Sequence, residues 1–207
     1  MKAPFIYLAS ASARRHELLK QMGVEHEVLH VPAPEGEDEP QLPNEAPEDY
    51  VRRTAREKAL RAQDWLSSRR PDGLGATALD YQADAVVLAA DTTVILEGEI
   101  LGKPADRADA CVMLARLSGK CHTVHTAIAL IRGELLLEDV SITEVHFATL
   151  SASEIELYCD TGEPFGKAGA YGIQGRAGIF VKHIVGSYTG VMGLPVFETY
   201  RLISSLR

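Results

Sequence analysis

A chain of 207 residues with 46% apolar and 24% charged residues has the make-up of a globular protein, able to bury a core in one large domain or two small ones, and a single domain over 1–207 is expected because α/β units often run this long. Its net charge of −8 argues against a nucleic-acid coat or a membrane-surface role, and its longest buried-looking run, 85–90, is far too short to span a bilayer. Cys111, Cys121 and Cys159 are odd in number, widely spaced and without a CxxC pair, which points to reduced thiols in the cytoplasm and gives no zinc signature.

Phe5–Ala9 reads as a short buried strand and Ser10-Ala11-Ser12 as a tight turn. From Arg14 the pattern is helical, with Leu18, Leu19 and Met22 on one face and Gly23 as a stop. Ala3–Ala9 resembles a leader peptide only superficially, because its short apolar part runs straight into Arg14-Arg15. Two hydroxyls and two guanidiniums at a helix mouth suit an anion, since free N–H groups and the positive dipole end gather there. An ordinary N-cap serine with solvated arginines is the alternative. Val24–Val31 reads as a strand. Between Pro32 and Pro47, five prolines and five acids (Glu35, Glu37, Asp38, Glu39, Glu45) make a loop. Those acids are either a solvated surface or include one carboxylate near a metal.

Pro47-Glu48-Asp49 suits the first turn of a helix whose apolar stripe is Val51, Ala55, Ala59, Ala62, Trp65 and Leu66. Lys58, seven residues after Val51, shares that face, so it either snorkels to water or meets an anion held inside. Residues 67–82 show turn residues and no period, and read as a surface insertion. Ala83–Ala90 is a buried strand of parallel type that stops at Asp91-Thr92. An acid beyond the carboxyl end of such a strand is where open α/β sheets bind ligands, although it could also cap a turn.

Thr93–Leu96 and Ile100-Leu101 flank a hairpin turn, and Gly102-Lys103-Pro104 places a second lysine in a constrained turn. A helix is expected over Asp106–Leu117, then long strands over Val124–Arg132 and Leu135–Phe147 joined at Gly133-Glu134. Ser151 and Glu154 form a capping box that opens a helix reaching Asp160. Nine of the 17 glycines lie between Gly162 and Gly193, around Lys167 and Gln174. They mark tight turns or close approach of backbone to a ligand, so Gly172 and Gly175 would let the chain near Gln174 come close to a bound ring. Leu194-Pro195 starts a last helix, with Val196, Tyr200 and Ile203 as its buried face.

Seven motifs in order, LASASARR, AREKA, AADTTV, LGKP, LSGKCHTV, EP-GKAGAYGIQG and VMGLP, run nearly the length of the chain. In them the sequence resembles the Maf family, nucleoside triphosphate pyrophosphatases once described as septum-formation inhibitors. Two positions depart from the family's usual pattern. Ala13 stands where proline is usual, and Gly166 stands where an aspartate usually precedes the lysine, here Lys167. Residues 67–82 have no counterpart in the compact family core.

The resemblance implies an α/β fold with a mixed, partly parallel twisted sheet, flanking helices and two lobes around a central cleft. It further implies a divalent cation, magnesium or manganese, and a nucleotide cut between its α- and β-phosphates into a monophosphate and pyrophosphate. Family members are cytoplasmic and often homodimeric, and take a small nucleotide in place of a nucleic acid or a membrane.

Attack by water at phosphorus needs a positioned nucleophile and cations to absorb charge. Asp91 is therefore expected as base and metal carboxylate, and the family resemblance implies Glu35 as a second metal ligand, by its position in the loop relative to the family. Ser10, Arg14 and Arg15 would hold phosphate oxygens, and Lys58 and Lys103 would neutralise the leaving pyrophosphate. Lys167 joins the substrate-binding set. In the family three positions divide members by base preference. Here they carry Arg14, Thr92 and Gln174, a combination that resembles the dTTP- and UTP-preferring branch. A nucleotide-binding regulator of septum formation with little turnover would use the same residues. A serine hydrolase built on Ser10 or Ser12 would lack the GxSxG elbow.

Overall fold

The structure is a computed structural model and describes residues 4–32, 40–68 and 85–206. Glu35 and most of the expected insertion at 67–82 lie outside the described residues. Ser67 and Ser68 themselves close a helix.

The elements in chain order are β1 (Ile6–Leu8), α1 (Ala13–Gln21), β2 (His26–Val28), α2 (Pro47–Ser68), β3 (Val86–Leu96), β4 (Glu99–Leu101), α3 (Arg107–Leu117), β5 (Cys121–Arg132), β6 (Leu135–Phe147), α4 (Ala152–Cys159), β7 (Val181–Val185), α5 (Tyr188–Met192) and α6 (Val196–Ser205). Seven strands among the described residues form one sheet in the order β2-β1-β3-β5-β6-β7, with β4 paired to β3. β1 runs parallel to β2 and to β3, whereas β3 with β4 and β6 with β7 are antiparallel. The fold is thus α/β with a mixed sheet and flanking helices, as expected.

β2 and β3 differ most from their expected extents. β2 is three residues long in place of the eight read from Val24–Val31, because its partner β1 offers only Ile6, Tyr7 and Leu8 to pair with. β3 does not stop at Asp91 but continues to Leu96, where Glu97 and Gly98 at φ +54° and +86° turn it into β4. The parallel ladder from β1 nevertheless ends at the Leu8–Leu88 pair, and the amide of Ala9 still donates to the carbonyl of Leu88 at 2.8 Å. Asp91 therefore lies just past the carboxyl end of the parallel part of the sheet, although it is in mid-strand.

The chain packs as two compact units. The first comprises Met1–Asp91, Ala127–Val140 and Val196–Arg207. In its core Val51, Ala55 and Ala59 of α2 pack with Ala89 of β3 and with Ala127, Ala129 and Ile131 of β5. A second cluster sets Ala62 and Leu66 against Val87 and Leu29. Strand side chains alternate faces, so Val87, Ala89 and Asp91 point the same way. Helix neighbours recur every three or four residues, so the partners step back along α2 from Leu66 and Ala62 to Ala59 and Ala55, and then to Lys58 and Thr54. Alanines on both sides bring helix and sheet close together. In α6 the buried residues are Thr199 and Ile203, with Val196 half-buried. Tyr200 is 58% exposed, against expectation, because the stripe that meets the core runs through Thr199.

The second unit comprises Thr92–Thr126 and Ser141–Pro195. Val94, Leu96, Leu114, Leu117, Val145, Phe147, Tyr158 and Phe180 are among its core residues. Asp106 caps α3 by accepting from Asp109 N at 2.8 Å, and the capping box of Ser151 and Glu154 is complete. The glycine-rich stretch forms tight turns and two short 3-10 segments, Ala168–Ala170 and Arg176–Phe180. Gly169 is required: its φ is +67°, a Cβ there would lie 2.9 Å from Val94 Cγ1, and its amide donates to the carbonyl of Gly102 at 3.0 Å.

Candidate active site

Within the first unit the structure brings Ser10, Arg15, Lys58 and Asp91 into one group. Lys58 Nζ donates to Asp91 Oδ1 at 2.7 Å, and Asp91 is buried, with 7% of its surface exposed. Burial works against a charge on Asp91. The Lys58 ammonium, Arg15 and a hydrogen bond from Thr54 outweigh it and hold the carboxyl below the usual carboxylate range. Lys58 thus meets an anion, and that anion belongs to the chain itself. Thr54 was not singled out in the sequence, yet its signal was present, since it precedes Lys58 by four residues and shares its face.

Ser10 follows β1. Its Oγ accepts from the backbone N of Ser12 at 3.2 Å and from Arg15 Nη1 at 3.0 Å. Both lone pairs of the hydroxyl are then in use, and its proton is left to be donated elsewhere. Its two close neighbours are donors, so neither can take up a proton from it. The N-cap residue of α1 is Ser12, in extended conformation and without a side-chain cap. Arg14 lies in the first turn of α1 and is half-buried.

The second unit carries the other expected residues. Thr92 is half-buried on β3, and Thr126 Oγ1 lies 3.1 Å from its hydroxyl and 2.8 Å from the carbonyl of Gly190. Lys103 is exposed in the turn after β4. Lys167 donates through Nζ to the carbonyl of Glu163. Gln174 is exposed, within a turn closed by a hydrogen bond of 2.9 Å from Gly175 N to the carbonyl of Gly172.

Glu163 organises this loop, and the sequence did not mark it beyond its place in a motif. Its carboxylate accepts from Tyr158 Oη and from Arg176 N, each at 3.0 Å. A Cβ on Gly175 would stand 2.1 Å from Glu163 Oε1, and one on Gly172 would meet the stem of Lys167 at 3.1 Å. The open backbone expected at these glycines for a ligand is filled by the protein's own side chains. Gly166, at φ +72°, is exposed with nothing within 4 Å of where a Cβ would stand.

The fold and this group of residues define a mixed α/β protein with a buried, ionised carboxylate flanked by cations at the end of a parallel ladder. Residues 5–206 match the family described as Maf-like protein, and the chain belongs to that family. It is 61% identical over 202 residues to a dTTP/UTP pyrophosphatase of Bordetella pertussis, covering 98% of this chain and 92% of that one. It is 52% identical over 205 residues to a dTTP/UTP pyrophosphatase of Burkholderia pseudomallei, covering 97% and 92%. A dTTP/UTP pyrophosphatase of Cupriavidus pinatubonensis is 49% identical over 207 residues, covering 98% and 97%.

Proposed function

We propose that this chain is a nucleoside triphosphate pyrophosphatase that hydrolyses dTTP and UTP to the monophosphate and pyrophosphate. The observation that carries the reading is the buried Asp91–Lys58 pair beside Ser10 and Arg15, in a chain whose relatives at 49–61% identity carry that activity in their names. A net charge of −8 favours a small nucleotide over a nucleic acid, and no helix among the described residues is long and apolar enough to cross a membrane. The cytoplasm, where nucleoside triphosphates are plentiful, suits the substrate.

Each residue's part follows from its chemistry. Ser10 donates its remaining proton to a phosphate oxygen, and Arg14 and Arg15 supply guanidinium forks of the geometry phosphates accept. Lys58 and Lys103 offset charge on the leaving pyrophosphate, with Lys167 in the substrate-binding set. Asp91 orients the attacking water. A carboxyl held below its usual range is always deprotonated at neutral pH but is a weak base, so orientation comes first and proton acceptance second. Asp91 also fits a divalent cation, since an ionised carboxylate is the hard oxygen ligand that magnesium and manganese take. It would hold the ion together with Glu35, the second expected ligand. Such a cation would supply positive charge to the phosphate oxygens.

Gln174 reads the base. Uracil and thymine present a carbonyl oxygen beside an imide N–H, and one carboxamide can satisfy both. Cytosine reverses that pattern, so a carboxamide held in one orientation would leave groups unpaired once the bound base covers them, at about 1–3 kcal/mol each. That cost corresponds to roughly 5- to 150-fold discrimination. A panel of nucleoside triphosphates with magnesium tests the reading. High kcat/KM on dTTP and UTP, low values on CTP and purine triphosphates, and a narrower gap in Gln174→Ala are expected. Equal efficiency on CTP and UTP, or binding of dTTP without turnover, contradicts it.

A further inference from the structure

The second unit carries another cluster of coordinating side chains, outside the catalytic set. Cys121 opens β5, and Glu144 and His146 lie two residues apart near the end of β6. Alternation places them on one face: His122, Val145 and Phe147 are buried, whereas Cys121 and Glu144 are exposed and His146 is half-buried. The amide of Phe147 donates to the carbonyl of Lys120 at 2.9 Å, which sets Cys121 beside His146.

The spacing of the donor atoms is that of a coordination shell. Cys121 Sγ is 3.6 Å from His146 Nε2, and His146 Nε2 is 3.6 Å from Glu144 Oε2. All three donor atoms lie within 4.8 Å of one another. Bonds of about 2.0–2.3 Å to a tetrahedral zinc ion put neighbouring ligand atoms about 3.3–3.8 Å apart. Two of the distances match that edge with no movement. His183 of β7 lies opposite His146 in the antiparallel register, with ring centroids 5.6 Å apart, so the site is bordered by a second imidazole.

From this geometry we infer that Cys121, Glu144 and His146 form a site for one zinc-like transition-metal ion, with a fourth position open to water. Sulfur, imidazole nitrogen and carboxylate oxygen suit zinc or cobalt, whereas magnesium and manganese prefer oxygen alone, so this ion differs from the cation proposed at Asp91. On binding, a metal–sulfur bond replaces the S–H bond of Cys121 and the proton leaves to solvent. Thiolate and carboxylate together balance the divalent charge. The sequence gives no hint of this site, because its ligands come from two strands and are 25 residues apart between Cys121 and His146.

Titration of the full chain with cobalt(II), followed by absorbance, tests the site, with zinc affinity measured by competition against a chromophoric chelator. One equivalent with a thiolate-to-cobalt charge-transfer band is expected. The band is lost in Cys121→Ser, and zinc binds at least about tenfold more weakly in His146→Gln and Glu144→Gln, since even the loss of an outer-shell partner costs that much. Asp91→Asn leaves the band in place, which separates this site from the catalytic one. The absence of the band in the native chain, its survival in Cys121→Ser, or zinc affinity unchanged in His146→Gln would overturn the inference.

Discussion

Lys58 on α2 and Asp91 on β3, 33 residues apart in sequence, meet at 2.7 Å where the Val51–Ala55–Ala59 face of the helix presses against a strand buried on both faces. The carboxylate is almost wholly desolvated and the lysine partly so, with 9% and 19% of their side chains exposed. Each therefore depends on the other more than a surface pair would.

Replacing Lys58 with methionine keeps the stem and deletes the charge. Breaking a buried pair leaves an uncompensated carboxylate, at a cost of about 3 kcal/mol at pH 7, the low end of the usual range because Arg15 still favours the charge. The sign with pH follows from linkage. In the native chain the lowered pKa of Asp91 gives stability that is present at neutral pH and lost on acidification. In Lys58→Met the carboxyl protonates more readily, so the gap between the two proteins should narrow as the pH falls towards about 4. Urea unfolding at several pH values measures it. Equal stability at pH 7 would mean that the lysine only snorkels.

Gly175→Ala places a methyl group 2.1 Å from Glu163 Oε1, and the carboxylate must leave Tyr158 and Arg176. The loop that carries Gln174 then loses its anchor. Misplacement of about 1 Å is enough to cost a large factor in rate, so kcat/KM for dTTP should fall at least about tenfold, with the preference over CTP reduced. Steady-state kinetics on the two nucleotides measure both. Unchanged selectivity would remove Glu163 from any role in base recognition.

His122 is 2% exposed and pairs with Tyr171 Oη at 2.8 Å, while its Nδ1 finds no partner among the described residues. Burial, and after it the nearby His146, pushes its pKa from near 6.5 down to about 4. The unfolded chain therefore binds this proton first, and stability contributed above pH 6.5 is lost as the pH falls towards 4. The shift corresponds to about 3 kcal/mol across that window. His122→Gln should flatten the dependence of unfolding free energy on pH between those values. An unchanged slope would show that the imidazole charges without cost.

Much of this was legible in the sequence wherever a residue's role follows from period. Helical spacing put Lys58 on the buried face of α2, and a buried run ending in an acid put Asp91 near the end of a parallel ladder. The same reasoning failed where tertiary partners decide. Nothing local says that β3 continues five residues past Asp91, because its continuation depends on pairing with β4. Tyr200 reads as buried by spacing from Val196 and Ile203, yet Thr199 meets the core. Glycines near Gln174 suggested room for a ligand, but the carboxylate that fills that room comes from Glu163, twelve residues before Gly175. Cross-strand neighbours such as Cys121 and His146 leave no mark in sequence spacing at all.

Cleavage between the α- and β-phosphates at the Asp91 site is tested most directly by phosphorus NMR of dTTP hydrolysis with magnesium. dTMP and pyrophosphate should appear together from the first turnover, and Asp91→Asn, which loses the carboxylate that orients the water and accepts its proton, should lower their rate by about 10²–10⁴. dTDP and orthophosphate as first products, or pyrophosphate released at close to the native rate by Asp91→Asn, would contradict it.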